Sequence, residues 1–535
     1  MINGIYIKET IFFIYNSKHY SYSFLITIIY CLLCIKISCE NHRILINLNS
    51  EIHFVINGIG NQSILNNTFY IEPFKVYVNS INRDSCKTSC IMDYEINHIT
   101  LIFNDNIESS ENMFYGCENM TEIDLSKFDF SKIVNTSYMF RNCYNLKKIN
   151  FGNINTSSIV NMKGLFHNCE SLSSINLSNF DTSSVTTIEE MFYNCTNLES
   201  INVSNFNTTN IKSLRLLFYN CSKLTSINLS NFDTSSVTSM EGMFFLCTNL
   251  LSIDVSNFNT KNLETMRSLF RSCTKLTFLD ISNFDTSKVK NILYLFRDSI
   301  NLRKINLGKM NTSSVENMRC LFYHCENLEF LDLSSFDTSK VTFMGWMFFH
   351  CYKLRAIIMS EKFNTSNVVS FYSMFSNCKS LHYLNLSSFD VTKVTEMCYM
   401  FNTCINLKYL DIPNFSPLNI TTIETMISNI PSLVYLNIYS FEINNTTAIT
   451  SAFSGLNNNL KICANEHNMK NLLSNLNKNI DCSDICFSEN IKVDPFRKEC
   501  IYSCKVNNYS YEYNNICFNE CPEETYIILK DINNI

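Results

Sequence analysis

Cysteine is the residue whose spacing first suggests chemistry. Cys117, Cys143, Cys169, Cys195, Cys221, Cys247 and Cys273 follow one another every 26 residues. Cys325, Cys351, Cys378 and Cys404 continue the series, with one extra residue before Cys378, while Ser299, Ile430 and Leu456 occupy slots of the same register. Thiols stacked at such a period would lie close enough for disulfides or would present ligands to a metal. Buried free thiols are the simpler reading, because cysteine is a small and frequently buried side chain. Ser299 and Ile430 also replace it with no compensating partner in view.

Three other sets of residues could bind something. His324-Cys325 and His350-Cys351 lie one period apart and contain four nitrogen or sulfur ligands. Adjacent residues seldom point the same way, so no metal centre is assigned. Seven residues after each slot stand Asp124, Asn150, Asn176, Asn202, Asn228, Asp254, Asp280, Asn306 and Asp332, then Ile358, Asn385, Asp411 and Asn437. Their oxygens suit calcium, but the glycine-bearing loop of such sites is missing, and a solvated polar ladder is the plainer account. Five residues after the slot, Glu122, Lys148, Ser174, Ser200, Ser226 and Ser252 give way to Phe278, Lys304, Phe330, Ala356, Tyr383, Tyr409 and Tyr435. Exposed aromatic rings offer contact area and, in tyrosine, a polar handle. Phe278, Phe330, Tyr383, Tyr409 and Tyr435 are therefore the candidate ligand-binding residues. Stacking that only stabilises neighbouring strands is the alternative. No phosphate-cradling glycine loop, HExxH or nucleophile elbow occurs. No catalytic residue, metal or cofactor is assigned, and the expectation is a protein that is not an enzyme.

The elements that carry these columns follow from one period. In the unit that starts at Cys169, Leu172, Ile175 and Leu177 contain the period-two spacing of a short strand. Asp181-Thr182-Ser183 is turn chemistry, since short polar side chains bond nearby backbone N–H groups. Val185, Ile188, Met191 and Phe192 form a helical stripe, and Thr186 with Glu189, like Thr238 with Glu241, is spaced as a capping box. Each unit predicts a strand, a turn and about two turns of helix. One unit cannot bury its apolar face alone, whereas stacked units can. The expected fold is an α/β solenoid of 13 units over residues 107–462, ~60 Å long at one strand spacing per unit. Its strands line one face as a parallel sheet, and short helices line the other.

The motif C-x-N-L-x-x-I-x-L-S-x-F-D-T-S-x-V-T-x-M-x-x-M-F-x-x-C resembles the BspA-type leucine-rich repeats of bacterial and protozoan surface proteins. It is most similar to their 26-residue lipoprotein-associated subtype. Leu224 through Val237 and Leu328 through Val341 are clear copies. Departures are Ser299 and Ile430 in the cysteine slot, the extra residue near Glu361, and Pro413 within a strand. The resemblance implies a right-handed leucine-rich-repeat solenoid. It also implies a secreted or cell-surface protein that mediates adhesion, with a protein or glycan ligand on another cell or matrix. The ectodomain of a truncated receptor, or a structural coat component, remains the alternative.

The flanks do not repeat. Phe24 to Ile35 is an apolar run of signal-peptide length, too short for a membrane span, and residues 1–38 are read as a signal peptide. A membrane would then be reached only through an anchor not visible in this chain. Residues 40–106 carry four short strand patterns and are read as a β-rich N-terminal cap, with Cys86 and Cys90 bridged to each other or elsewhere. Residues 463–535 are read as a cysteine-rich module. Cys482/Cys486, Cys500/Cys504 and Cys517/Cys521 form C-x3-C pairs, with Cys463 upstream. Small export-stage segments are commonly stapled by disulfides, although paired cysteines are also zinc ligands. Cys521-Pro522-Glu523-Glu524-Thr525-Tyr526 looks like the start of a furin-like or EGF-like module. Sequons are frequent, at Asn61, Asn66, Asn119, Asn194, Asn220, Asn444, Asn445 and Asn508 among others.

Over 535 residues, hydrophobic side chains make up 46% and charged ones 17%, too apolar a balance for a disordered chain. The net charge of −6 provides no basic footprint for nucleic acid.

Overall fold

A computed structural model describes residues 50–463 apart from 387–388, 413–414, 416–418, 439–440 and 442–447. It also describes short strands at Lys492–Val493, Cys500–Ile501, Tyr511–Tyr513 and Ile516–Phe518. The expected signal peptide and Pro413 lie outside the described residues, as do the side chains that would form the expected bridges among Cys482, Cys486, Cys500, Cys504, Cys517 and Cys521.

Six strands precede the repeats: β1 (Ser50–Asn57), β2 (Gly60–Ser63), β3 (Lys75–Val78), β4 (Ile81–Asn82), β5 (Ser89–Met92) and β6 (Ile96–Phe103). In β1 the alternation of apolar residues puts Ile52, Phe54 and Ile56 into the core. β7 (Met120–Lys127) is the strand of the first repeat. It pairs antiparallel with β1 on one side and parallel with β8 (Lys148–Asn150) on the other. The sheet order β4-β3-β6-β1-β7-β8 therefore changes from antiparallel to parallel at β7, and the first repeat has no open edge. Cys86 and Cys90 are bridged to each other. At the far end Cys463 is also disulfide-bonded.

The repeat strands continue as β9 (Ser174–Ile175), β10 (Ser200–Ile201), β11 (Phe278–Asp280), β12 (Lys304–Asn306), β13 (Phe330–Leu333) and β14 (Ala356–Met359). β15 (Tyr383–Asn385), β16 (Tyr409–Asp411), β17 (Tyr435–Asn437) and β18 (Lys461–Cys463) complete the series. All pairs are parallel and in register from coil to coil, as in Tyr383↔Tyr409↔Tyr435. The sheet is not continuous, however. It divides into β9–β10, β11–β12, β13–β14 and β15–β18.

The opposite side carries no helices among the described residues, which corrects the expectation of short helices there. Each coil passes instead through consecutive tight turns, with two residues per coil in the left-handed region, such as Glu190 (φ 58°) and Asn194 (φ 59°). The N–H groups that a helix would use internally go to the next coil. Met162 N donates to Thr187 O at 3.0 Å, Gly164 N to Glu189 O at 2.8 Å, Phe166 N to Met191 O at 3.0 Å and Asn168 N to Tyr193 O at 2.8 Å. The predicted capping boxes fail for the same reason, because Thr186 Oγ1 and Thr238 Oγ1 donate to Val160 O and Lys212 O of the preceding coil. This turn ladder runs from Ser109↔Asn135 to Thr422↔Ala448 and skips one bridge, between Thr187 and Ser213, where Glu190 N to Arg215 O at 3.1 Å carries the spine on. The asparagine that precedes many slot cysteines has a physical reason. Asn tolerates the left-handed conformation better than other side chains with a Cβ.

The core between the two sides is a set of identical columns. Phe114, Phe140, Phe166, Phe192, Phe218, Phe244 and their successors to Phe401 stack face to face, from 5.3 Å between Phe348 and Phe375 to 6.3 Å between Phe270 and Phe296. The apolar stripe Val185, Ile188, Met191 and Phe192 is buried as its spacing required, although its backbone is not helical. Turns that place every third or fourth side chain inward leave the same trace in a sequence as a helix does.

Candidate functional site

Most of the motif is used in stacking the coils. Each slot thiol is buried, and from Cys143 onward its Sγ–H donates to the phenylalanine carbonyl of the preceding coil, as from Cys195 to Phe166 O at 3.2 Å and from Cys221 to Phe192 O at 3.2 Å. Ser299 makes the same bond, to Phe270 O at 2.7 Å, so its hydroxyl compensates for the missing thiol. The thiols are neither bridged nor clustered for a metal among the described residues. Burial pushes Cys195, Cys247 and Cys404 up to about 12. Reactivity requires the thiolate and access. Maleimide added to native protein is therefore expected to leave Cys117 through Cys404 of this column unlabelled, and peptide mapping after denaturation should find them labelled. Labelling of the native column at the denatured rate would contradict the burial.

The Asp-Thr-Ser segment is likewise structural. Thr234 Oγ1 donates to Asn259 O at 3.1 Å and accepts from Asn259 N at 2.8 Å, and this reciprocal pair recurs along the solenoid. Asp233 Oδ1 accepts from Ser235 N at 2.8 Å and caps its own turn. From Asp124 to Asp332 the Asn/Asp column seven residues after the slot does the same for the turn after the strand, as in Asn176 with Ser178 N and Asp280 with Ser282 N. It is a turn-capping ladder.

The sequence-predicted binding residues lie on the strand side. Phe278 is 49% exposed and pairs in register with Lys304, while Phe330 is half-buried opposite Ala356. Tyr383, Tyr409 and Tyr435 share one register, with Tyr409 and Tyr435 half-buried and Asn437 fully buried. The structure thus brings the three tyrosines together on β15–β17 and places Phe278 apart from them.

Phe278 borders a cleft of about 410 Å³ formed by Leu251–Ser256 of one coil and Thr277, Phe278, Asp280, Ser282 and Asn283 of the next. The cleft lies where the strand ladder is interrupted. Ser226–Asn228 and Ser252–Asp254 occupy the positions between β10 and β11 and form no strand. Leu251, 57% exposed, stands beside Phe278 at the rim. Asn283 Nδ2 crosses to Val255 O at 3.2 Å, Ser256 O at 3.0 Å and Phe258 O at 3.3 Å, which fixes the floor. The hydroxyl and amide of Ser256 hold the Asp254 carboxyl below its usual range. Burial pushes Asp280 upward, but bonds from Ser282 and Asn306 outweigh it and the net shift is also downward. Both side chains are charged at neutral pH.

A family model described as "Mycoplasma protein of unknown function, DUF285" matches residues 108–224, 194–278, 272–381 and 355–465, more than half of the chain. The chain belongs to the DUF285 family. The matched segments coincide with the stacked coils described above. No curated protein matches the chain. Among solved structures, a leucine-rich repeat protein from Eubacterium ventriosum is 16% identical, covering 60% of this chain and 80% of that one, with a TM-score of 0.31. A TLR13–ssRNA13 complex is 12% identical over 71% of this chain and 81% of that one, with a TM-score of 0.15. The plant peptide hormone receptor RGFR1 with RGF2 is 12% identical over 55% and 63% of the two chains, with a TM-score of 0.11.

This DUF285 chain has a second ordered column that the sequence reading missed, on the turn side. His167, Tyr193 and Tyr219 stack at 4.3 Å steps, Arg271 covers Phe245 at 4.4 Å, and Arg297 covers Tyr323 at 4.6 Å. His324 and His350 stack on each other at 4.5 Å, which turns their ring faces, not their nitrogens, toward one another. Burial, reinforced by Arg141, lowers His167 to about 4, and burial with His324 and Lys379 lowers His350 to about 4. The signal was present in the sequence. The residue two before each slot cysteine is aromatic or arginine in most coils from Tyr115 to Phe349, at the same 26-residue period.

Proposed function

We propose that the solenoid is a recognition scaffold without catalytic activity, secreted or displayed on the cell surface, that binds protein or glycan ligands through its strand face and serves adhesion. One contrast carries this reading. Inward columns repeat the same residue from coil to coil, whereas the strand-face column runs through Glu122, Lys148, Ser174, Phe278, Lys304 and Phe330. A fixed frame with a varied outward surface is the arrangement that repeat proteins use for binding. The motif chemistry is absorbed in stacking, which supports the assignment of no catalytic residue.

The test compares binding of the full chain to immobilised matrix proteins and glycans with that of two variants. Phe278→Ser/Phe330→Ser places on the strand face the serine that four earlier coils already carry there. Tyr193→Ser/Tyr219→Ser alters the turn side. Loss in the first variant and retention in the second is the expected result. The reverse would move recognition to the turn side and overturn the proposal. Antibody labelling of intact source cells, beside a blot of the medium, tests export, and signal found only after permeabilisation would reject it.

A further inference from the structure

Resting on the strand-face reading above, we propose that the cleft between Leu251–Ser256 and Thr277–Asn283 binds a lysine or arginine side chain presented by an extended segment of a partner protein. Three observations converge on a cationic group with an apolar stem. The first is the lining. Leu251 and Phe278 provide apolar surface, and the charged groups among the lining residues are the carboxylates Asp254 and Asp280. Long cationic side chains lay their methylenes on apolar surface and keep the head in a polar setting.

The second is the absence of an internal counter-ion. Among the described residues, neither Asp254 nor Asp280 is in an ion pair. Asp280 uses Oδ1 for Ser282 and Oδ2 for Asn306, whereas Asp254 uses only Oδ1, for Ser256, in its hydrogen bonds. The Oδ2 of Asp254 is therefore available to an incoming donor.

The third is how the chain treats several half-buried rings of the turn side. On the turn side Phe245, Tyr323 and Trp346 are each covered by an arginine of this chain, at 4.4, 4.6 and 4.4 Å. Among the described residues no such cation stands over Phe278, although Lys304 is its partner across the ladder. A guanidinium or ammonium over that ring, flanked by two carboxylates, would gain both a cation–π contact and charge-assisted hydrogen bonds.

The partner must bind by side chains. A strand cannot thread between the two coils, because they are joined behind the cleft by Met266 N to Asn291 O at 3.0 Å, Ser268 N to Leu293 O at 2.9 Å and Phe270 N to Leu295 O at 3.0 Å. Asn283 ties them at the floor.

The fold itself provides variants that spare stability. Asn176, Asn202 and Asn228 occupy the column of Asp254, Ser252 that of Phe278, and Thr225 that of Leu251. The full chain is titrated into a fluorescein-labelled decapeptide alternating lysine and serine, and anisotropy is read at physiological salt. Asp254→Asn/Asp280→Asn is expected to weaken binding about tenfold or more, and Phe278→Ser about threefold or more. Asp124→Asn/Asp332→Asn removes the same charge from the same column outside the cleft and should leave binding within about twofold. Equal loss in both double variants would mean bulk electrostatics and overturn the proposal. Absence of binding by wild type would overturn it as well. Binding of neutral oligosaccharide in place of the peptide, lost in Phe278→Ser, would overturn the cationic class while leaving the strand-face reading intact. Loss confined to Tyr193→Ser/Tyr219→Ser would remove both.

Discussion

Phe218→Ala is expected to lower unfolding stability by about 3–5 kcal/mol, measured as a shift of the urea midpoint at unchanged slope. Phe218 is fully buried and lies between Phe192 at 5.6 Å and Phe244 at 5.9 Å. Truncation removes the transfer energy of the ring and leaves a cavity that the neighbouring rings, held by their own backbone ladders, cannot close. Coils are stable only through their neighbours, so both interfaces of one coil weaken at once. The adjacent Tyr219→Ala removes a ring that is only half-buried and stacked on Tyr193 from outside. It should cost about 1 kcal/mol. Equal losses at the two positions would mean that the inner column is not the source of cohesion.

Thr234→Val is the second large effect, at about 2–5 kcal/mol, although it keeps the side-chain shape. The hydroxyl, in a residue 1% exposed, serves both the N–H and the C=O of Asn259. Valine would leave both backbone groups without their partner, and each orphaned group costs about 1–3 kcal/mol. Thr238→Val is the control. Its hydroxyl bonds Lys212 O, which Thr238 N already reaches at 2.8 Å, so no group is stranded. A change within about 0.5 kcal/mol is expected there. Thermal unfolding of the two variants side by side distinguishes a buried network from simple volume loss. A mild effect at Thr234 would show that water enters the loop.

The sequence made the stacking direction, the period and the inward columns legible, because burial imposes the same residue at the same place in every coil. Cys195, Phe192, Thr182 and Leu172 were all identifiable from repetition alone. The backbone path through Thr187–Asn194 was not, since a run of turns and a helix bury the same positions. Asn194 was the clue, because an asparagine held before so many slot cysteines fits a left-handed residue better than a helix end. The cleft was half legible. Phe278 was singled out by its exposed column, but the interruption of the sheet beside it was not. Ser226 and Ser252 are the same residue type as Ser174 and Ser200, which do pair, so the local letters do not mark the difference. The turn-side arginine and aromatic column was not legible as a stack while helices were expected in its place.

The continuous turn ladder has a consequence for how such a gene can change length. Every coil hands its N–H groups to carbonyls 25 residues onward, as Phe166 to Met191 and Phe192 to Leu217. Recombination that duplicates or deletes a whole unit returns each remaining donor to an equivalent acceptor, so reach changes in increments of about 4.8 Å. A partial unit would leave two coils out of phase along the entire spine. The single surplus residue near Glu361 is accommodated in the loop before Thr365, and the ladder resumes with Trp346 N to Tyr372 O at 2.8 Å. Molecules of this design are therefore graduated: selection can set how far the cleft stands from the cap by counting coils, without redesigning either.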